Sequence, residues 1–483
     1  MTVVIGLDVG TSGVKGLAIA EDGTVVARAE CSYALSTPRP GWAEQDPEDW
    51  FLGAAHVLEA LQAATRGRTV GLGLSGQMHG LVALDAADRP IRPAMLWNDQ
   101  RSAAECTEIE SRIGFARLVE LTGNRALTGF TAPKLLWMRH NEPEAYGRIA
   151  SVLLPKDYVR LKLCGEKVVD VADASGTLLF DVGARSWSRE VCDALEIDSA
   201  WLPRVLESPE VSGRTKRGIP VAAGAGDQAA GALGVGIIAS GSPASVVLGT
   251  SGVVFAALDG YAADPQARAH TFCHAVPGIW HAMGVMLSAA GSLRWLRDVA
   301  APGVDFDVLI AEAERWQPGV EGLTFLPYLA GERTPHADPR ARGSFTGLTI
   351  RHDRGALVRA VLEGVACGLR DCLDVVRACG AAPSSGLVSG GGARSELWLR
   401  IVASCLELTL ERTVAEEGAA FGAALLGGLA AGVWRDPAEA VAATVRTTGK
   451  IVPEPAWVAR YAELRGRYRA LYPALSIPQE APA

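Results

Sequence analysis

Ile5-Gly6-Leu7-Asp8-Val9-Gly10-Thr11-Ser12-Gly13-Val14-Lys15 is the stretch whose reading decides the fold. Its first residues are apolar in the manner of a buried strand, and the apolar pattern resumes from Val14 to Ala20 after a turn of four small residues. The pattern predicts a β-hairpin whose turn is a cup of backbone N–H groups and two hydroxyls. Such a cup suits phosphate oxygens, because glycine lets the backbone come close and the N–H dipoles converge on an anion. Asp8, at the strand end, is a hard oxygen donor of the kind that holds magnesium through water.

The stretch returns half a chain later. Gly249, Thr250, Ser251, Gly252 and Val253 repeat Gly10 to Val14 letter for letter, again between two apolar runs. Internal repetition of this kind points to a duplicated architecture. The expectation is two similar α/β lobes, each offering a hairpin to one nucleotide held between them.

Bulk properties agree. A chain of 483 residues, 49% hydrophobic and 21% charged, has room for two or three domains with ample cores. A net charge of −8 without a Lys/Arg run argues against nucleic acid or an anionic membrane as partner. No apolar run reaches the roughly 18 residues of a membrane-spanning helix, and the chain enters a strand at once, so the expectation is that no signal peptide is present. The nine cysteines are scattered, odd in number and without a CxxC pair, which predicts reduced thiols and a cytoplasmic location.

Several strand ends carry chemistry. Asp46 and Pro47 predict a helix N-terminus, and that helix runs to about Thr65 before a strand from Thr69. The strand delivers Ser75-Gly76-Gln77-Met78-His79-Gly80, and ligands in open α/β sheets gather beyond the carboxyl ends of strands. The residues alone leave Met78 and His79 as ligand contacts or as a turn with a capping histidine. Trp97, Asn98, Asp99, Gln100 and Arg101 combine an apolar face with donors and acceptors that suit a polyol, and suit a solvated loop as well. Asp227 and Gln228 follow Gly224-Ala225-Gly226 where a strand turns into a small-residue helix. Asp227 reads as a helix cap or as the base that takes a proton from an attacking hydroxyl. Gly390, Gly391, Gly392 and Ala393, between a short strand and a helix, suit a nucleotide, although the spacing is neither a Walker loop nor GxGxxG. Residues 354 to 378 form the clearest helical period, and Glu417-Gly418-Ala419-Ala420 opens a tightly packed helix assigned to the second lobe.

These motifs together resemble the FGGY family of carbohydrate kinases, in the two-lobed actin-like, hexokinase-like (ribonuclease H-like) ATPase fold. The resemblance runs from the first strand to about residue 470. Gly76 to Gly80, Trp97-Asn98-Asp99, Thr131-Ala132-Pro133-Lys134, Leu154-Pro155-Lys156-Asp157-Tyr158 and Gly331-Glu332-Arg333-Thr334-Pro335-His336 resemble the xylulose-phosphorylating branch. Met78-His79 stand where the family's glycerol kinases carry Arg-Glu, and Gln228 stands where the branch often has Asn. The resemblance implies ATP and Mg2+, with xylulose as acceptor and a homodimer allowed; a kinase for another ketose or polyol such as ribulose, or a non-catalytic sugar-sensing module on the same fold, is the alternative. It implies Asp227 as proton acceptor, and Met78, His79, Trp97, Asn98, Asp99 and Gln228 against the sugar. Asp8, Thr11 and Ser12 would face the phosphate and magnesium, with Gly249, Thr250 and Ser251 opposite and Gly390 to Ala393 at the adenosine end. The expected division is a sugar-binding lobe at 1–237, a nucleotide-binding lobe at 238–473 and a tail at 474–483.

Overall fold

The hairpin of the opening stretch is the centre of a seven-stranded sheet. In spatial order the strands are Val211–Arg214, Pro220–Ala222, Thr69–Gly76, Val3–Val9, Gly13–Ala20 and Val25–Ser32, and Ala225–Gly226 pairs beside the end of Thr69–Gly76. The structure is a computed structural model that describes residues 2–413 and 418–475. Glu417 and residues 476–483 of the expected tail therefore lie outside the described residues, while residues 474 and 475 still belong to the helix Pro455–Leu475.

A second seven-stranded sheet repeats the plan: Thr447–Ile451, Leu410–Thr413, Gly386–Ser389, Ala244–Leu248, Gly252–Leu258, Trp280–Met286 and His270–Cys273. The central hairpin is antiparallel in both, its first strand runs parallel to the next strand outward, and a further parallel strand is followed by an antiparallel edge. The chain order of the two outermost strands differs. Val211–Arg214 precedes its parallel neighbour, whereas Thr447–Ile451 follows Leu410–Thr413.

Local signals explain the elements. Pro47–Thr65 starts where expected, with the Asp46 side chain accepting from Glu48 N at the N-cap and Pro47 in the first turn. It buries Trp50, Ala54, Leu58 and Leu61 against the first sheet's hairpin. Arg354–Ala378 is capped by Asp353 and is buried along nearly its whole length in the second lobe. Between Gly76 and Val211 the chain leaves the first sheet and builds a helical layer with its own core around Leu118, Phe130, Leu135 and Met138.

One helix departs from expectation. Gly418–Ala430, assigned by sequence to the second lobe, packs on the first sheet and on the helix Asp227–Gly234. A methyl group at Gly6 would collide with Ala420 O, one at Gly73 with Ala423 O, and one at Gly422 with Ala230 O. Backbone meets backbone there, which is why the helix is almost entirely Gly, Ala and Leu.

Candidate active site

A cleft of about 710 Å³ opens between the two lobes. Met78, His79, Trp97, Asn98, Asp227 and Gln228 line it from the first lobe, and His270, Phe272, Glu332 and Arg333 line it from the second.

His79 is held on every side. Its φ of 71° is unusual for a residue with a side chain, and the neighbourhood enforces it. The backbone carbonyl accepts from Lys134 Nζ at 2.9 Å and from Thr131 Oγ1 at 3.1 Å. The ring contacts Gly176 O through Nδ1 at 2.6 Å, so Nδ1 carries the proton and Nε2 is left as an acceptor. Burial pushes the imidazole down to about 3 and keeps it neutral. A Cβ at Gly176 would stand 2.6 Å from Nδ1, and one at Gly226 would stand 2.6 Å from Met78 Cγ. Those two glycines make room for the Met78-His79 pair.

Lys156 and Asp157, also singled out by sequence, serve this arrangement from below. Lys156 Nζ sits 2.7 Å from Asp157, 2.6 Å from Asp170 and 2.7 Å from Asp173, all fully buried. Burial works against the ammonium, and the three carboxylates outweigh it, holding Lys156 above the ordinary lysine value. The three aspartates are close enough together to hold a cation, and Lys156 supplies it. Asp170 and Asp173 open the turn that ends in Gly176, the partner of His79.

Asp227 begins the helix Asp227–Gly234 but does not cap it; Gly226 occupies the N-cap position. Burial, reinforced by the negative charge of Asp8, raises the Asp227 carboxyl to about 7. Burial raises Asp8 as well, and Ser75 Oγ donates to its Oδ1 at 2.8 Å. No hydrogen bond reaches Asp8 Oδ2 among the described residues, which leaves one hard oxygen for a cation's water shell and fits magnesium.

Trp97 joins the cleft wall to the first hairpin. Its Nε1 donates to Thr11 Oγ1 at 3.0 Å, and Thr11 Oγ1 donates to Gln77 Oε1 at 3.0 Å. The Thr11 hydroxyl is thus engaged within the protein, while Ser12 is exposed. Asp99 departs from the expectation of a sugar contact. It is fully buried and accepts from Ala43 N at 2.7 Å and from Arg101 at 2.6 Å. Arg101 in turn stacks over Trp42 and pairs with Glu44 at 2.7 Å. Two residues apart on one turn, Asp99 and Arg101 pair with each other and leave the cleft to Trp97, Asn98 and Gln100.

The residues expected at the nucleotide gather outside this cleft. Gly390 has φ of 88°, and a Cβ there would lie 2.6 Å from Leu248 O and 2.9 Å from Gly249 N. The Gly390–Ala393 turn therefore abuts the second hairpin, and Gly391 has open space around it. Ala290 N donates to Gly249 O at 2.8 Å and Ala289 N to Thr250 O at 2.8 Å, which fixes the hairpin on the helix Ala290–Ala300.

Sequence reasoning did not single out Gln77, His270 or Phe272. Gln77 was adjacent to the quoted pair and needed only its contact with Thr11. His270 and Phe272 reach the cleft from a strand about 190 residues away, and nothing local marks them.

Two sheets of repeated plan, with a cleft of about 710 Å³ between the lobes that Asp227 helps to line, are the architecture of a two-lobed sugar kinase. The family models for the N-terminal and C-terminal domains of the FGGY carbohydrate kinases match residues 3–234 and 244–431, and the chain belongs to that family. It is similar to a xylulose kinase of Escherichia coli (strain K12), 45% identical over 88% of this chain and 90% of that protein. It is also similar to a xylulose kinase of Lactococcus lactis subsp. lactis (strain IL1403), 39% identical over 98% and 97%. Among solved structures it resembles a xyloylose kinase from Brucella ovis, with TM-score 0.93, 44% identity and coverage of 98% and 99%. The enzyme transfers phosphate to a sugar hydroxyl, and its family implies ATP as donor.

Proposed function

We propose that this chain phosphorylates D-xylulose on its terminal C5 hydroxyl, giving xylulose 5-phosphate. The observation that carries the reading is the similarity to xylulose kinases over nearly the whole chain, with Met78-His79 in the cleft beside Asp227.

Asp227 is read as the general base. A carboxyl near 7 is ionised in useful amount at neutral pH and still basic enough to draw a proton from a hydroxyl as it attacks. Met78 supports the apolar side of the sugar, His79 Nε2 accepts from a hydroxyl, and Asn98 and Gln228 complete the polar contacts. Phosphoryl transfer asks little covalent chemistry of a protein; it asks for alignment and charge stabilisation. The first hairpin with Asp8, the second hairpin at Gly249 to Ser251 and the Gly390–Ala393 turn are read as the phosphate and adenosine contacts. Magnesium, which Asp8 would hold through water, would offset the negative charge on the transferred group. We assign the sugar side to residues 1–237 and the nucleotide side to 238–473, and the nine free cysteines support a cytoplasmic location.

The test is ATP consumption by purified protein over a panel of ketoses, aldoses and polyols with magnesium. Xylulose is expected to exceed ribulose and the pentitols in kcat/KM by about tenfold or more. Equal or better use of another sugar would overturn the substrate assignment.

A further inference from the structure

The second lobe brings to the cleft a guanidinium that none of these roles uses. Arg333 lines the cleft and is exposed in it. Two other arginines line the cleft, and both are paired: Arg268 with Asp264 at 2.7 Å and Arg125 with Glu110 at 3.5 Å. Arg333 forms no ion pair with a carboxylate among the described residues; its Nη1 contacts His270 Nε2 at 3.4 Å.

That contact is built. Asn124 Oδ1 accepts from His270 Nδ1 at 2.6 Å, which puts the proton on Nδ1 and turns the Nε2 lone pair toward Arg333. Phe272 stacks on the His270 ring at 5.8 Å. The Arg333 loop is anchored as well: Thr334 N donates to Val285 O at 2.9 Å, and Thr334 Oγ1 donates to Arg268 O at 2.6 Å. A guanidinium has five N–H donors in a fixed fork. Most of those on Arg333 remain free, in a cleft whose opposite wall offers acceptors, the Asp227 carboxylate and His79 Nε2.

We propose that Arg333 reads the ketone of the substrate. The inference rests on the xylulose reading above. A five-carbon 2-ketose closes its five-membered ring through the C5 oxygen, so a sugar whose C5 hydroxyl is free to accept phosphate is open-chain and carries a free C2 carbonyl. A carbonyl oxygen only accepts hydrogen bonds. The acceptors Asp227 and His79 Nε2 cannot recognise it; the Asn98 and Gln228 amides offer neutral N–H donors, and Arg333 offers a charged fork of them. Arg333 is thus a specificity residue, and Asn124 and His270 position it.

The experiment compares xylulose with its pentitol, which carries a hydroxyl in place of the ketone, in the wild type, Arg333→Met, Arg333→Lys and His270→Phe. Arg333→Met is expected to lower kcat/KM for xylulose by about ten- to a hundredfold, as loss of a charge-assisted hydrogen bond does, while the pentitol changes by less than about threefold. Ketose-over-polyol selectivity should collapse, with ATP KM and melting temperature unchanged. Arg333→Lys should keep part of the selectivity, and His270→Phe should lose part of it. A wild type that prefers another sugar defeats the xylulose reading itself. A wild type that prefers xylulose, with the preference intact in Arg333→Met, overturns the inference. So does wild-type turnover of a pentonate that exceeds xylulose and vanishes in Arg333→Met, since the guanidinium would then serve a carboxylate.

Discussion

Asp227 sits in a compromise between chemistry and stability. Its folded value near 7 lies above the ordinary carboxylate value of 3.8, so the native state holds a proton that the unfolded chain has released between those limits. Stability from this group is complete below about pH 4 and falls as pH rises toward 7, where burying the charge costs most. Asp227→Asn removes that penalty along with the base. The variant should lose about 10² to 10⁴ in kcat and keep sugar affinity within about tenfold. At pH 8 it should also melt above the wild type, and the two should converge at pH 4. Near-normal turnover would end the catalytic assignment. The wild-type kcat/KM should fall with unit slope as pH drops below about 7, and a flat profile would contradict the base. His79→Ala should raise sugar KM by about tenfold or more, because Nε2 and the ring wall are lost together, and should leave ATP KM alone. A shifted ATP KM with unchanged sugar KM would reverse the assignment.

The two hairpins show how far local pattern reaches. Both were legible as strand–turn–strand because apolar runs flank four small residues, and Asp46-Pro47 marked its helix to the residue. Pattern could not say where side chains point. Asp99 and Arg101 looked like pocket groups because their types suit a polyol, and only the fold turns them onto each other and Glu44. The same holds for Thr11, whose hydroxyl lies between Trp97 and Gln77. Thr250 is the freer hydroxyl, exposed and, among the described residues, hydrogen-bonded only by Arg294 at 3.3 Å. Thr250→Val should therefore lower kcat by about tenfold or more, as loss of a donor to developing charge does, with sugar KM unchanged. A selective loss of sugar binding would break the division of labour between the hairpins.

For the whole molecule, duplication was readable from five repeated letters, and the cleft between the lobes followed from it. The exchange of Gly418–Ala430 onto the first sheet was not readable, since a helix of small residues carries no address. It buries Val4, Leu17 and Ile19 together with Ala420, Phe421 and Ala424. A fragment of residues 1–237 alone would expose that face and should aggregate, whereas co-expression with residues 238–483 should recover soluble, active protein. A monomeric, cooperatively melting 1–237 fragment would show the exchange to be dispensable. Interlobe contacts at the sugar side add to it: Tyr261 donates to Glu120 O at 2.7 Å, and Trp280 to Val182 O at 2.7 Å.

The backbone-on-backbone seam has a consequence for how this sequence tolerates change. Gly6, Gly73, Gly422 and Gly427 do not line the cleft, yet a single added methyl at any of them strikes main-chain atoms of the facing segment. In a selection for growth or turnover, these sites would be depleted as deeply as Asp227 and would masquerade as catalytic. Counting folded protein alongside activity separates them: seam variants should vanish from the soluble fraction, whereas Asp227 variants should remain abundant and inert.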